Sequence, residues 1–179
     1  ETFGGIDVLV SNAGSVSSGP IGSVSDKNLK KSFEDNFFSH QICASEAVKI
    51  MLSQKSRGCL LFNISKQSVN PGLNFGSYGL PKTALLGLCK QYALDYGKFG
   101  IRSNAVNADR IQSGILNSSM IKTRAKARNV SVDVYMKGNL LLDEVTGHDV
   151  ALAFLHLALS KRSTGAVLTV DGGNIAASM

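Results

Sequence analysis

The chain has 179 residues, 44% hydrophobic and 18% charged, with 18 Gly and 3 Pro. That suits one globular α/β domain or a large part of one, and excludes disordered, collagen-like and well-developed two-domain organisations. A formal charge of +6 is spread thinly, no apolar run reaches membrane-spanning length and no basic segment leads into an apolar stretch, so the chain reads as soluble and cytoplasmic, without membrane or signal segments.

Gly5 to Val10 is a nearly continuous apolar run that stops at the turn-prone Ser11-Asn12-Ala13-Gly14, as a parallel strand buried on both faces does. Ser25 can cap a helix in which Leu29, Phe33, Phe37, Ala44, Ala47, Val48 and Met51 keep near-helical spacing, so one long helix is expected there. Gly58 to Ser65 is a second buried strand, followed by a loop rich in Asn, Gly, Ser and Pro. A helix beginning near Tyr78 carries Ala84, Leu85, Leu88, Tyr92 and Ala93, and ends around Gly97 to Gly100. Ile101 to Asn107 is the third strand. From Asp109 to about Leu142 the pattern is mixed, as expected of loops and helices over a site. Val150 to Leu159 is an apolar helix, and Val167 to Val170 a last strand. Strands and helices alternate, so the fold class is α/β with a parallel sheet.

Lys122, Arg124, Lys126 and Arg128 are the one basic concentration. Their alternate spacing winds around a helix without interleaved aromatics, which points to a solvated helix and away from nucleic-acid binding. Cys43, Cys59 and Cys89 lack paired spacing and read as small core residues of a reducing compartment. His40, His148 and His156 are scattered, so no metal site is expected.

Tyr78 and Lys82 stand four residues apart, on one helix face a turn apart. An ammonium beside a phenol favours phenolate and lowers its pKa towards the range useful for proton transfer. Ser65 ends the preceding strand, where open α/β sheets bind ligands, and its hydroxyl could hold a carbonyl oxygen. Alone, such a pair is also the face of an ordinary amphipathic helix.

The order Asn12-Ala13-Gly14, Asn36, Ser65, Tyr78 with Lys82, and Asp171-Gly172-Gly173, each after its own strand or on the helix that follows, resembles the short-chain dehydrogenase/reductase family over nearly the whole chain. The resemblance implies a Rossmann-like parallel sheet with helices on both faces and an NAD(P)-dependent oxidoreductase acting on a small alcohol or carbonyl substrate. It implies Tyr78 as general acid/base and Lys82 as the group that depresses its pKa and binds the nicotinamide ribose. Ser65 would bind the substrate oxygen, and Asn36 would hold a water for proton relay. Asn12, Ala13 and Gly14 would line the adenosine side of NAD or NADP, with Ile111 near the carboxamide and Ser113 near the phosphates. The two helices bearing Asn36 and Tyr78 imply a homo-oligomer.

Two departures stand out. The Gly-rich βαβ portion that receives the pyrophosphate is not in this sequence. Residues 1–179 are therefore expected to be the carboxyl-terminal portion of a single such domain, with an incomplete fold and an unpaired edge at the first strand. Ala108-Asp109 stands where the family has Pro-Gly, and Pro81 sits between Tyr78 and Lys82, where it could kink the helix. A carboxylate near a pyrophosphate is unfavourable unless Arg110 or solvent offsets it. These departures keep open a catalytically impaired binding or regulatory module. Within the family, Asn63 to Gln67, Tyr78 to Lys82, Gln91 to Tyr96 and Asn104 to Ile111 resemble the carboxyl-terminal dehydrogenase part of bacterial bifunctional aldolase/short-chain dehydrogenase proteins, which implies lactaldehyde chemistry in rhamnose catabolism.

Overall fold

A computed structural model describes residues 2–176. Four parallel strands, β1 (Val8–Ser11), β2 (Gly58–Ser65), β3 (Ile101–Ala108) and β4 (Val167–Val170), lie in the order β1-β2-β3-β4. The crossover from β1 to β2 carries α1 (Asp26–Phe33) and α2 (Ser39–Gln54), and that from β2 to β3 carries α3 (Gly76–Tyr96). The third carries α4 (Ser118–Ala127), α5 (Val132–Met136) and α6 (Gly147–Leu159).

The pleat of β2 divides the core in two, because successive side chains point to opposite faces. Leu60, Phe62 and Ile64 pack with Ala44, Ala47, Val48 and Met51 of α2 and Leu85, Cys89 and Tyr92 of α3. Cys59 and Leu61 pack with Val106 and with Val150, Ala153, Phe154 and Leu157 of α6. Helices therefore cover both faces, and each fully buried Leu or Phe contributes about 2 kcal/mol of apolar burial. A smaller cluster of Leu116, Ile121, Ala125, Tyr135 and Met136 holds α4 and α5 together beside the carboxyl ends of the strands.

Several boundaries differ from those read in the sequence. β1 starts at Val8, and Val8 and Val10 are 42% and 49% exposed, so it is not buried on both faces. Leu9 packs against the α2 side, while the opposite face of this edge strand is uncovered among the described residues. The expected single long helix is capped by Ser25, whose Oγ accepts from the Asn28 N–H, but is interrupted by a π-helical turn over Glu34–Phe38. Apolar periodicity carries across that turn because one extra residue rotates the helix without ending it. α3 starts two residues before Tyr78, and Pro81 lies within its first two turns, where the helix runs on unbroken. Ser68 Oγ donates to the Lys82 carbonyl at 3.1 Å and Thr83 Oγ1 to the Ser68 carbonyl at 3.2 Å, tying this part of α3 to the turn after β2. Cys43 is exposed, not a core residue, because it lies on the outward side of α2; Cys59 and Cys89 are buried as expected.

Candidate active site

Parallel strands bring their carboxyl ends to one edge of the sheet. Ser65 closes β2 there, and its backbone and side chain are fixed by the turn that follows. Its Oγ accepts from the Gln67 N–H at 3.3 Å, and its own N–H donates to Ser68 Oγ at 3.3 Å. The Ser65 side chain shares a cavity wall with the Tyr78 phenol and acts to lower its pKa.

Lys82, one turn further along α3, is 3% exposed and sends its ammonium back to the sheet, where Nζ donates to the Asn63 carbonyl at 2.9 Å. The same Nζ lies 6.0 Å from the centre of the Tyr78 ring. Asn36, fully buried in the π-helical turn, donates from Nδ2 to the Ser32 carbonyl at 3.0 Å, and its Oδ1 accepts from the Ser15 N–H at 3.1 Å. Gly14 joins the two: a Cβ there would lie 2.8 Å from Asn36 Oδ1 and 3.7 Å from Lys82 Nζ. Only glycine lets the turn after β1 approach both side chains this closely. The structure thus brings Ser65 and Tyr78 to one cavity wall and gathers Lys82 and Asn36 at Gly14.

Two adjoining cavities open over these groups. One of about 150 Å³ is lined by Ser65, Tyr78, Phe75, Asp109, Met120 and Arg124, among others. The other, about 790 Å³, is lined by Asn12, Ala13, Gly14, Ile111 and Ser113 together with Gly147 and Val150 at the start of α6. Val16, Asn63, Ala108, Ile111, Ser113, Ile115 and Met120 belong to both. A third cavity, about 850 Å³, lies at the opposite end of the strands, beside Gly58 and Ile101, and holds none of the site residues.

The segment after β3 is held by its own side chains. Arg110 takes a left-handed backbone, φ 56°, directly after the Ala108-Asp109 departure. Its guanidinium donates to the Tyr135 and Gly138 carbonyls at 3.0 and 2.7 Å and stacks on the Tyr135 ring. Asp109 Oδ2 accepts from Asn174 Nδ2 at 2.5 Å and lies 3.6 Å from Arg110 Nε. The charge of Asp109 is therefore offset within the protein, in the way the sequence required. Ser113 Oγ accepts from the Leu116 N–H at 3.2 Å, closing a tight turn at the cavity rim.

Burial decides the electrostatics. It pushes Lys82 down from 10.5 to about 8, because a desolvated ammonium is disfavoured. It also pushes the Tyr78 phenol up; the Ser65 hydrogen bond opposes this, the Asp109 carboxylate adds to it and Arg124 opposes it. The expected depression of the Tyr78 phenol by Lys82 is not found. The ammonium is turned to the Asn63 carbonyl, and desolvation of the phenolate outweighs the attractions. At neutral pH the phenol holds its proton and Lys82 is mostly charged.

Sequence reading missed three residues at this edge. His40 is buried one turn beyond Asn36, with Nδ1 2.6 Å from Ser11 Oγ; burial first, and the Lys82 charge second, lower its pKa to about 4. The i,i+4 spacing from Asn36 was the available signal. Asn63 was read as part of a strand and of a subfamily-like segment but given no site role, yet it holds Lys82 on its carbonyl and donates from Nδ2 to Asn12 Oδ1 at 2.6 Å. Arg124, read as one of four solvated cations, lies half-buried with its guanidinium carbon 4.4 Å over the Phe75 ring.

The larger cavity suits an elongated polar ligand such as a dinucleotide. Gly14 leaves a cradle that a Cβ would fill, and the buried Asn63 Oδ1 on the wall has no hydrogen-bond partner among the described residues.

A family profile described as Enoyl-(Acyl carrier protein) reductase matches residues 1–174. The chain is 36% identical over 179 residues to the protein called Uncharacterized oxidoreductase YuxG of Bacillus subtilis (strain 168), covering 96% of this chain and 26% of that protein. Among solved structures it is similar to 4-hydroxyisoleucine dehydrogenase complexed with NADH, at 27% identity and TM-score 0.79, over 95% of this chain and 69% of that one. It is likewise similar to a putative 2-deoxy-d-gluconate 3-dehydrogenase from Agrobacterium tumefaciens with bound NADP, at 26% identity and TM-score 0.85, over 95% of this chain and 68% of that one. The chain spans about a quarter of the length of the B. subtilis relative and about two thirds of each of these structures.

Proposed function

The chain belongs to the short-chain dehydrogenase/reductase family, and from that premise we propose that it is the catalytic portion of an NAD- or NADP-dependent oxidoreductase. Its substrate is a small alcohol or carbonyl compound, with Tyr78 as the general acid/base. The single observation that carries this reading is the convergence of Ser65, Tyr78, Lys82 and Asn36 at the carboxyl ends of β1 and β2, beside a cavity large enough for a dinucleotide. The NADH and NADP complexes of the two similar structures support the cofactor.

When bound, the nicotinamide supplies or accepts a hydride at the substrate carbon. The protein manages the proton. The phenol of Tyr78, kept protonated by burial, donates to the substrate oxygen in reduction and takes that proton back in oxidation. Ser65, whose oxygen is anchored by the Gln67 N–H, steadies the same oxygen. The Lys82 ammonium supplies fixed positive charge beside the phenol as it loses its proton, and the Asn63 carbonyl holds it in place. Asn36 holds the Ser15 backbone and, with it, the Gly14 turn against Lys82, where a water joining Lys82 to solvent fits its role. Asn12, Ala13 and Gly14 on one side and Ile111 and Ser113 on the other line the walls between which the dinucleotide lies.

Lactaldehyde, or a hydroxy-aldehyde like it, is the proposed substrate, and a carboxyl-terminal dehydrogenase part of a longer aldolase fusion the proposed setting. A B. subtilis relative about four times longer than the matched stretch supports the fusion. Phe38 and Ile42 beside Asn36, and Leu80 and Leu94 on α3, are exposed apolar side chains that support homo-oligomerisation through those helices.

Tyr78→Phe in the full-length protein, assayed with NADH and NADPH against a panel of small aldehydes, tests the reading. Turnover should fall about 10²- to 10⁴-fold with cofactor binding retained. Unchanged turnover removes Tyr78 from its role, and a wild-type protein inert towards every aldehyde favours the impaired binding module.

A further inference from the structure

The small cavity beside Tyr78 is lined by one cation, Arg124, that has no acidic partner among the described residues. Of the four basic residues on α4 and just beyond it, Lys122, Lys126 and Arg128 are exposed, while Arg124 is half-buried and lines the cavity with Ser65 and Tyr78. Its guanidinium carbon lies 4.4 Å over the centre of the Phe75 ring, which holds the fork against the ring, and among the described residues its N–H groups make no hydrogen bond. The ion pairs among the described residues are Lys31–Asp35, Lys49–Glu46, Arg110–Asp109 and Lys137–Asp133, and none includes Arg124. The carboxylate that shares the cavity, Asp109, is already engaged by Asn174 and Arg110.

A guanidinium seated on an aromatic ring and outside the ion pairs of the described residues, lining a small cavity whose walls combine Val16, Ile115 and Met120 with Gln67, Ser113 and the already paired Asp109 and Arg110, is a receptor for an oxyanion, because a carboxylate or phosphate matches the fork with two parallel charge-assisted bonds. We propose that Arg124 binds an anionic group of the substrate, so that the preferred substrates carry an alcohol or carbonyl at one end and a carboxylate or phosphate at the other. The proposal rests on the oxidoreductase reading for the reacting end and narrows it. A neutral hydroxy-aldehyde such as lactaldehyde leaves the fork unsatisfied, so on this inference lactaldehyde is accepted less well than an anionic alcohol of similar size, while the oxidoreductase reading is kept. The cavity volume of about 150 Å³ limits the chain between the two groups to a few carbons.

The test compares the full-length wild-type protein with Arg124→Met and Arg124→Lys on 1,2-propanediol, lactate and glycerol 3-phosphate. Kcat/KM is measured for oxidation with NAD and NADP, and thermal shift is measured with lactate and with inorganic phosphate alone. Arg124→Met should lower kcat/KM for the anionic alcohols about 10- to 100-fold, the loss of a charge-assisted pair, while the neutral diol changes less than about threefold. Arg124→Lys should recover part of the loss, because it restores the charge and not the fork. The better anion, lactate or glycerol 3-phosphate, identifies the source of the oxyanion. Equal effects on neutral and anionic alcohols, or a wild-type preference for the diol, overturn the proposal. If no alcohol is turned over, an anion-dependent thermal shift lost in Arg124→Met still upholds anion binding while the oxidoreductase reading falls; no shift in either protein rejects anion binding.

Discussion

Lys82 is a charge the fold would be more stable without, and replacing it with Met makes that measurable. The side chain is 3% exposed, and burial moves its pKa from 10.5 to about 8. Keeping it charged at neutral pH therefore costs the folded state about 3 kcal/mol. Met has nearly the same length and no charge, so this penalty disappears, while the Asn63 carbonyl loses its 2.9 Å partner at a cost of about 1–2 kcal/mol. Lys82→Met should thus be more stable than wild type by about 1–2 kcal/mol at pH 7, and catalytically inert. The sign changes with pH. Below pH 8 Lys82 is protonated in both folded and unfolded chains and the full penalty is present. Between pH 8 and 10.5 the unfolded chain keeps the proton and the folded one gives it up, so the wild type gains stability as pH rises. The advantage of the variant should fall by about 3 kcal/mol across that window and end as a deficit. Taking the difference between the two proteins in urea unfolding at each pH cancels other alkaline groups such as Cys89, which burial raises to about 11. A variant less stable than wild type at pH 7, with a difference that does not change up to pH 10.5, would refute the idea that the ammonium is retained at the expense of stability.

Gly14→Ala places a Cβ 2.8 Å from Asn36 Oδ1, so Asn36 must shift and release the Ser15 N–H; a destabilisation of about 1–3 kcal/mol in urea and a loss of turnover are expected, and an active, equally stable variant would contradict the packing described. His40, lowered to about 4, is neutral in the folded chain between pH 4 and 6.5 while the unfolded chain binds a proton there. Folded stability should therefore drop by about 3 kcal/mol as pH falls through that window, and His40→Gln should flatten this drop in the same unfolding experiment. Asp109 raises the Tyr78 phenol and Ser65 lowers it. Asp109→Asn should accordingly move the acidic limb of the alcohol-oxidation pH profile to lower pH and Ser65→Ala to higher pH, a pair of opposite displacements that no general loss of fold would produce.

β2, α3, β3, α6 and β4 were legible because their apolar residues repeat with the period of the element that forms: Leu60, Phe62 and Ile64 alternate, and Leu85, Cys89 and Tyr92 recur at helical spacing, whereas α4 and α5 lay in a stretch read only as mixed loops and helices. The set of Asn36, Ser65, Tyr78 and Lys82 came instead from the resemblance to the short-chain dehydrogenase/reductase family, with the periodic elements only placing each residue on or after a strand or helix. What stayed hidden depends on register and desolvation. The π-helical turn that buries Asn36 leaves the periodic pattern intact on both sides, so nothing in the spacing announces it. The direction of the Tyr78 displacement follows from burial and from where Lys82 Nζ points, toward the Asn63 carbonyl, and a sequence gives neither. Arg124 looks like its three neighbours on paper. Only the fold puts Phe75, fifty positions away, beneath its guanidinium.

The most direct test uses nicotinamide cofactor carrying deuterium at its transferable position, mixed with the full-length protein and a small aldehyde, with mass spectrometry of the alcohol formed. One deuterium on the carbinol carbon, made by the wild type and nearly absent with Tyr78→Phe, is the expected outcome. Alcohol without deuterium, or no alcohol at all from a protein that binds the cofactor, would contradict the proposal that these residues carry out hydride-coupled proton transfer.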